Sequence, residues 1–233
     1  MSQDRPSRFR RYTNLPILID MLRNERITII GYGSWIDAND KYAMDLYKSG
    51  DPELMFLGAF CVASASSETF HHWKVFADGP SGVCVVFNGA KFLEFAAKLP
   101  ANCYECRPVQ YVPYKSNQVE QDNRLSGAFE GVSRKNLPFV KRRGFSDEEE
   151  YRIVYESKEG LMQSHHMPID LSMIEKVTLS PFLHDELVDG VKETLRSIPG
   201  WARKVTKARM TDNKTWQRSL DRYAQLALGA SNA

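Results

Sequence analysis

Small hydroxyls, paired histidines and a tryptophan are concentrated between two apolar segments, within residues 60–87. These polar and aromatic residues are Ser64, Ser66, His71, His72 and Trp73. Trp35 lies in a similarly crowded turn, GYGSWIDAND, nearer the N-terminus. Such side chains at the end of a strand are typical of the rim of a ligand-binding site, so we predict a cleft here. Each residue also has a structural alternative, because serines begin helices and histidine and tryptophan are common in cores.

An acidic run, Glu148 to Glu150, stands directly before a segment that alternates like a strand. One interpretation is a solvated charge run that pairs with the basic run Lys141 to Arg143. Arg152, which shares a strand face with Glu150, can form an ion pair at the rim of the core. Another hypothesis is a metal-dependent nuclease, in which Asp37, Asp40, Glu148 and Glu150 would converge on one ion.

Two further kinds of chemistry, a zinc site and a Cys–His nucleophile, are considered from the cysteines. Cys103 and Cys106 have the spacing of a zinc-ligand pair, but a structural site needs two more ligands, and we expect no metal. A nucleophile formed by Cys84 with His72 is a second alternative. Cys84 lies between valines in an apolar segment, where a thiol is usually inert packing.

The elements that would position these residues are predicted from periodicity. Four segments are apolar or alternating and are predicted as strands of one or two packed sheets: Met55–Ala63, Val83–Phe87, Glu150–Glu156 and Ile174–Leu179. In the third strand, Tyr151, Ile153 and Tyr155 take one face, and Glu150, Arg152, Val154 and Glu156 take the other. Strands in the middle and helices at both ends indicate an α+β fold, with a central, mostly antiparallel sheet flanked by helices.

Helix starts are predicted from capping residues. Asn14 is expected to cap a helix that begins at Leu15. Asn39 or Asp40 is expected to cap the next helix, and the serines at 64–67 the aromatic helix after them. A C-terminal helix over Asp212–Leu228 carries Trp216, Leu220 and Tyr223 on one stripe.

Composition narrows the class of protein. The 233 residues suit one domain, with a core over about 8–200 and a basic segment and helix over 201–233. No apolar run approaches the roughly 18 residues of a membrane span, and no signal peptide is expected. Four cysteines, two of them in apolar segments, favour a reduced, cytoplasmic protein. The net charge is only +2, but basic clusters occur at 5–11, 141–143 and 203–209, and a shared basic face would bind nucleic acid.

Several short motifs resemble a bacterial and phage family, domain-of-unknown-function family 2971. They are W-x-D-x-N-D from Trp35, HHW-x-x-F from His71, G-V-C-V-x-F from Gly82, LPF-x-K from Leu137, E-x-E-Y-R from Glu148 and L-S-P from Leu179. The likeness covers residues 8 to 200. It departs from the commoner pattern at Phe145, where a tryptophan often stands, and in lacking N-D-P-F after the first strand.

The chain also resembles, more distantly, the ADP-ribosyltransferases. That family has three elements in order: a polar or aromatic residue near a first strand, an aromatic–Ser–x–Ser strand end and a strand-borne E-x-E. The matching segments are Tyr12-Thr13, Ser64-Ala65-Ser66 and Glu148-Glu149-Glu150. The resemblance implies NAD as co-substrate and Glu150 and Glu148 as catalytic carboxylates. It also implies a set of NAD-binding residues: Tyr12, Thr13, Trp35, Ser64, Ser66, His71, His72 and Trp73.

The leading hypothesis is an NAD-dependent ADP-ribosyltransferase-like enzyme, a toxin or phage-defence effector with a protein or nucleic-acid acceptor. A carboxylate beside the ribose would stabilise the positive charge that develops as the nicotinamide leaves. The alternative is a non-catalytic ligand- or nucleic-acid-binding module, with Lys141, Arg142 and Arg143 as its nucleic-acid contacts. No membrane partner is expected.

Overall fold

The computed structural model describes residues 5–64, 67–77, 79–113 and 132–230. The protein has an α+β fold built on a seven-stranded, mostly antiparallel sheet. In spatial order, its strands are β11 (Lys204–Lys207), β10 (Ile174–Leu179), β4 (Gly82–Asn88), β1 (Arg8–Asn14), β3 (Phe56–Ala63), β8 (Glu150–Ser157) and β5 (Tyr104–Pro108). Only the β10–β11 pair is parallel within these strands. Two small sheets pair β2 (Arg26–Ile30) with β9 (Ser164–Pro168), and β6 (Gln110–Val112) with β7 (Val140–Arg142).

Six α-helices occur in the described part of the chain. They are α1 (Leu15–Asn24), α2 (Ala38–Lys48), α3 (Phe70–Phe76), α4 (Gly89–Lys98), α5 (Asp185–Arg196) and α6 (Lys214–Ala230). Asn14 caps α1, as predicted, by accepting a hydrogen bond from Ile17 N. The caps of the next two helices differ from the expectation, because Asp37 caps α2 and Thr69 caps α3. The cap of α2 therefore lies two or three residues before the predicted one, and the cap of α3 lies after the serines.

The two faces of the main sheet are packed differently. One face carries the large core, to which α1, α4 and α5 contribute residues such as Leu18, Phe92 and Leu195. The other face carries two smaller clusters. One joins α3 to β1 and β4 around Trp73, and the other joins α2 to β3 and β8 around Met44. The alternation along β8 is confirmed, since Ile153 belongs to the large core and Val154 to the cluster around Met44.

All four predicted strands are confirmed as members of the seven-stranded sheet. The predicted order of elements was wrong at the N-terminal end, because β1 precedes the first helix and lies in the middle of the sheet, whereas the last described element is a helix, as predicted. Strand β11 pairs with β10, so the sheet extends past residue 200. Helix α6 instead leaves its apolar stripe exposed, and 63% of Trp216 and 72% of Tyr223 is accessible to solvent.

None of the helices in the described residues has the length and hydropathy that a bilayer-spanning segment requires.

Candidate functional site

A cavity of about 890 Å³ opens on the second face of the sheet, bounded by residues of β1, β3 and β8. Strand β1 pairs with β4 along its whole length. With β3, its neighbour on the other side, it shares one registered pair within the described strands, Arg10 with Ala63. The two central strands therefore separate. Arg11 bridges the opening, since its Nη1 donates a 3.0 Å hydrogen bond to the carbonyl oxygen of Cys61.

The cavity wall combines aromatic rings with charges of both signs. Its aromatic residues are Tyr12, Trp35, His72, Phe76 and Phe145. Its charged residues are Arg10, Arg11, Lys141 and Arg152, with Asp37, Asp40, Glu148 and Glu150. The four cationic and four acidic side chains balance, so the wall has no large excess of either sign. The aromatic faces can stack on a ring, and the charged side chains can bind polar parts of a ligand.

Glu150 occupies the centre of a buried ionic cluster. Arg152 Nε lies 2.7 Å from Glu150 Oε1, and Arg152 Nη2 lies 3.0 Å from Oε2. Lys141 Nζ lies 2.6 Å from Glu148 Oε2, 3.4 Å from Glu150 Oε2 and 3.5 Å from Asp40 Oδ2. Three carboxylates and two cations thus form one connected group on the cavity wall.

The two glutamates of this cluster have different acidities. Burial opposes ionisation of Glu150, but Arg152 and Lys141 outweigh it and lower the pKa of that carboxyl to about 2. For Glu148, burial raises the pKa above its ordinary value, although Lys141 acts in the opposite direction. Paired carboxyls whose pKa values are driven apart are a common arrangement for separate electrostatic and acid–base roles.

The backbone before β8 explains why both glutamates reach the cavity. A 3₁₀-helix over Arg143–Glu148 ends at Glu149, which adopts a left-handed conformation with φ of 42°. This conformation is costly for a residue other than glycine or asparagine and is typical of functional turns. The Glu149 carbonyl accepts hydrogen bonds of 2.8 Å from both the backbone N and the Oγ of Ser64. Glu149 itself is exposed, while its two neighbours are buried.

Three predicted ligand-binding residues, Tyr12, Trp35 and His72, line the cavity together with Glu150. The rings of Tyr12 and His72 stack with centroids 5.1 Å apart. His72 Nδ1 bonds to Thr69 Oγ1, and its Nε2 lies 3.4 Å from the carbonyl oxygen of Glu148. Burial lowers the pKa of His72, so this ring is neutral near pH 7. The Arg152 guanidinium lies 5.4 Å from the centroid of the Trp35 ring.

The other predicted ligand-binding residues lie elsewhere. Trp73 is fully buried in the cluster that joins α3 to the sheet, and Thr13 is also buried. Ser64 lines a different groove, beside Asn88 and Tyr151. His71 is half exposed, with Nε2 3.6 Å from Asp147. Ser66 falls outside the described residues.

The three predicted nucleic-acid residues differ in their exposure to solvent. The Lys141 side chain is 10% exposed and lies among carboxylates, whereas Arg142 and Arg143 are exposed. The basic residues of β11 lie five strand spacings from β8, or about 24 Å. Members of two basic clusters, Arg10 and Arg11 with Lys141, meet at the cavity, while the basic residues of β11 lie at the far edge of the sheet.

Arg10 and Arg11 are cavity residues that sequence reasoning missed, because they were assigned to an N-terminal basic cluster. Phe76 and Phe145 were noted only as motif positions. Cys61, one of the two cysteines in apolar segments, also lines the cavity. No spacing along the chain connects these residues. The pairing of β3 with β1 and β8 brings them together in space.

The geometry does not favour the metal-dependent nuclease or the Cys–His nucleophile. Asp40, Glu148 and Glu150 converge, but on Lys141 and Arg152, while Asp37 caps α2. Within the described residues no group of histidine, cysteine or acidic side chains is arranged to hold a metal ion. Burial raises the pKa of the Cys84 thiol, so the thiolate needed for a Cys–His nucleophile is disfavoured.

No family model matches the chain, so the resemblance to family 2971 is not confirmed. No curated protein matches it either. Among solved structures, the chain aligns with Thermus sp. 2.9 DarT in complex with ADP-ribosylated single-stranded DNA, at 9% identity and a TM-score of 0.44. That alignment covers 88% of this chain and 95% of the other. The DarT complex with NAD⁺ aligns at 10% identity and a TM-score of 0.39, covering 88% and 96% of the two chains. Since these TM-scores lie below 0.5, the alignments carry no inference about this chain.

Proposed function

We propose that this protein is an NAD-dependent ADP-ribosyltransferase whose active site is the cavity between β1, β3 and β8. The observation that carries the proposal is the pair Glu148 and Glu150 on one cavity wall. Lys141 contacts both carboxylates, Arg152 binds Glu150, and the pKa values of the two are shifted in opposite directions. Their E-x-E spacing is the one that the sequence resemblance implies for the catalytic carboxylates.

Glu150 is the electrostatic group of the proposed reaction. When the bond between the ribose C1′ and the nicotinamide nitrogen breaks, its electron pair stays with the nicotinamide and positive charge develops on the sugar. A fixed carboxylate whose pKa is lowered in this way is ionised near neutral pH and would stabilise that charge in a site of low dielectric. The two bonds from Arg152 hold the carboxylate without reorganisation during the reaction.

Glu148 is the proton acceptor of the proposed reaction. The acceptor's nucleophilic atom forms a bond to C1′ and loses a proton, which Glu148 takes up. A carboxyl with a raised pKa is a stronger base than an ordinary one, which suits this step. Lys141, bonded to Glu148 at 2.6 Å, fixes the direction in which the carboxyl points.

The remaining cavity residues fit the parts of a dinucleotide. Trp35, Phe76 and Phe145 present aromatic surface for a base or the nicotinamide ring. Arg10 and Arg11 bring positive charge for the diphosphate. The volume of about 890 Å³ is within the range of sites for ligands larger than a single base.

The test is to incubate purified protein with NAD labelled in its adenylate part, alone and with bacterial lysate, RNA or single-stranded DNA. We expect free nicotinamide and transfer of the label to a macromolecule in at least one acceptor arm. Release of nicotinamide without transfer would indicate a hydrolase, in which water is the acceptor. Protein that neither binds NAD nor releases nicotinamide in any arm would refute the proposal.

A second candidate is a ligand-binding module without catalysis. It is favoured by one observation: both oxygens of Glu150 are bonded to Arg152, so the carboxylate is already neutralised. In that case NAD or another nucleotide would bind and be recovered unchanged. The exposed Arg142 and Arg143 would then add nucleic-acid affinity that falls steeply with salt.

A further inference from the structure

Glu150 is supported by a guanidinium whose three nitrogens are all engaged. Arg152 lies two residues further along β8, on the same face, and only 1% of it is exposed. Besides its two bonds to Glu150, it donates from Nη1 to the Pro138 carbonyl at 2.7 Å and from Nη2 to Asp40 Oδ2 at 2.7 Å. Asp40 belongs to α2, 112 residues earlier in the chain. The fork of Arg152 therefore joins β8 to α2 through the base of the cavity.

We propose that Arg152 and Asp40 are positioning residues that fix the orientation and the charge of Glu150, which makes α2 part of the catalytic apparatus. The proposal rests on the proposed function, since it assigns these residues a role in that reaction. Arg152 orients the carboxylate because its bidentate contact restrains both oxygens at once. Asp40 restrains Arg152, because its bond to Nη2 prevents the guanidinium from turning away from the strand.

Stability alone is a poor explanation for this cluster. Taking several charges out of water costs more than their attraction returns in many proteins, and apolar residues of the same volume are often as stable. Here the charges lie on the wall of a cavity beside Trp35, not in the interior of either apolar cluster. Four hydrogen bonds from one guanidinium at such a place give the fixed geometry that preorganised active sites require.

The variants separate charge from geometry. Arg152→Lys keeps a cation but replaces the two-point fork by one ammonium. Arg152→Met removes both charge and fork while keeping similar apolar bulk. Asp40→Asn leaves Arg152 in place and weakens its anchor. Asp45→Asn is the matched control on α2, because Asp45 accepts a bond from Tyr32 OH and lies outside the cavity wall.

The first readout needs no substrate. The carboxyl carbon of ¹³C-labelled Glu150, titrated by NMR, is expected to show a pKa near 2 in the wild-type protein. In Arg152→Met we expect it above the ordinary glutamate value of about 4.3, because burial then acts against a weaker opposing charge. In Arg152→Lys it should stay below that value. An unchanged titration in Arg152→Met would overturn the proposal whether or not the protein uses NAD.

The second readout is nicotinamide release. In Arg152→Lys and Asp40→Asn we expect kcat to fall between about 10- and 100-fold, with KM for NAD changed much less, because the carboxylate is misplaced. Asp45→Asn should keep the wild-type kcat. Wild-type kcat in both test variants, or losses that match only the unfolded fraction measured by near-UV circular dichroism, would overturn the proposal.

If Arg152→Met fails to fold, the other two variants carry the test. A wild-type protein inactive on NAD would refute the proposed function and the catalytic role resting on it, leaving the titration to decide whether Arg152 holds Glu150.

Discussion

Glu148 and Glu150 are two residues apart in the chain, yet their surroundings shift their pKa values in opposite directions. The left-handed turn at Glu149 brings both carboxyls to one cavity, where Arg152 holds Glu150 and Lys141 holds Glu148. The nearby cations, and how fully they compensate burial, decide the direction in which the pKa of each carboxyl is shifted. This difference is the physical basis of the roles proposed for the two residues.

Replacing Glu150 by glutamine should cost stability as well as activity, because Arg152 loses its charged partner. The pKa of Glu150 is lowered from 4.5 to about 2, so its ionised form stabilises the fold by about 3 kcal/mol above pH 4.5. That contribution is lost as the pH falls from about 4.5 through 2. Urea unfolding of wild type and Glu150→Gln should therefore differ most at pH 6–7 and converge towards pH 2.

The control for this measurement is Glu175→Gln, which breaks an exposed ion pair with Arg8 and should cost less than about 1 kcal/mol. A gap between wild type and Glu150→Gln that is independent of pH would contradict the ionic origin of the effect.

At the scale of elements, the site depends on a strand that has no clear sequence signal. Strand β1 reads Arg-Phe-Arg-Arg-Tyr-Thr-Asn, in which cationic residues obscure the two-residue period. Phe9 nevertheless faces the large core and Tyr12 the opposite cluster. The sequence places Arg10 and Arg11 only in a basic cluster. Their place on the cavity wall follows from the pairing of β1 with β4 and β3.

The strand carrying the catalytic candidates is easier to predict. Its period of two is enough to assign Ile153 to one face, and Glu150 and Arg152 to the other. The register between β3 and β8, which pairs Cys61 with Arg152 and Ala63 with Glu150, lies outside what local periodicity can specify. The contents of the cavity follow from that register, so the sequence indicates individual residues but not their full set of neighbours.

The central place of β1 predicts a large effect from a single core truncation. Phe9 is fully buried, and its ring lies 4.6 Å from that of Phe92 and 5.1 Å from that of Tyr151. Phe9→Ala should lower the free energy of unfolding by about 3–5 kcal/mol, measured by urea denaturation. Ile17→Ala, at a residue 41% exposed on the helix that follows, should cost much less. Similar costs for the two variants would show that β1 is peripheral in solution.

At the scale of the whole molecule, one face of the sheet carries the main core and the other carries the candidate site. One face is filled by the large apolar core, and the other carries the cavity between the clusters around Trp73 and Met44. Separation of β1 from β3 creates the opening without interrupting the core behind it. The scaffold can thus hold a charged site while most of its stability comes from the opposite side.

Helix α6 lies outside this arrangement. Its side chains are exposed throughout 214–225, including Trp216, Leu220 and Tyr223. Removal of residues 212–233 should therefore change the melting temperature by less than about 2 °C and leave nicotinamide release intact. A loss of many degrees would show that the helix packs on the core in solution.

The most direct test of the proposed function compares nicotinamide release by Glu150→Gln and Glu149→Gln, one residue apart in the same turn. Both rates are taken per folded molecule, at a temperature where near-UV circular dichroism shows each variant to be native. We expect Glu150→Gln to be slower than wild type by about a hundred- to a thousand-fold, the usual effect of losing one aimed electrostatic contact. Glu149→Gln, at an exposed residue outside the cavity wall, should remain within a few-fold of wild type. Equal losses in both variants, or a Glu150→Gln protein as fast as wild type, would contradict the assignment of Glu150 as the group that stabilises the transition state.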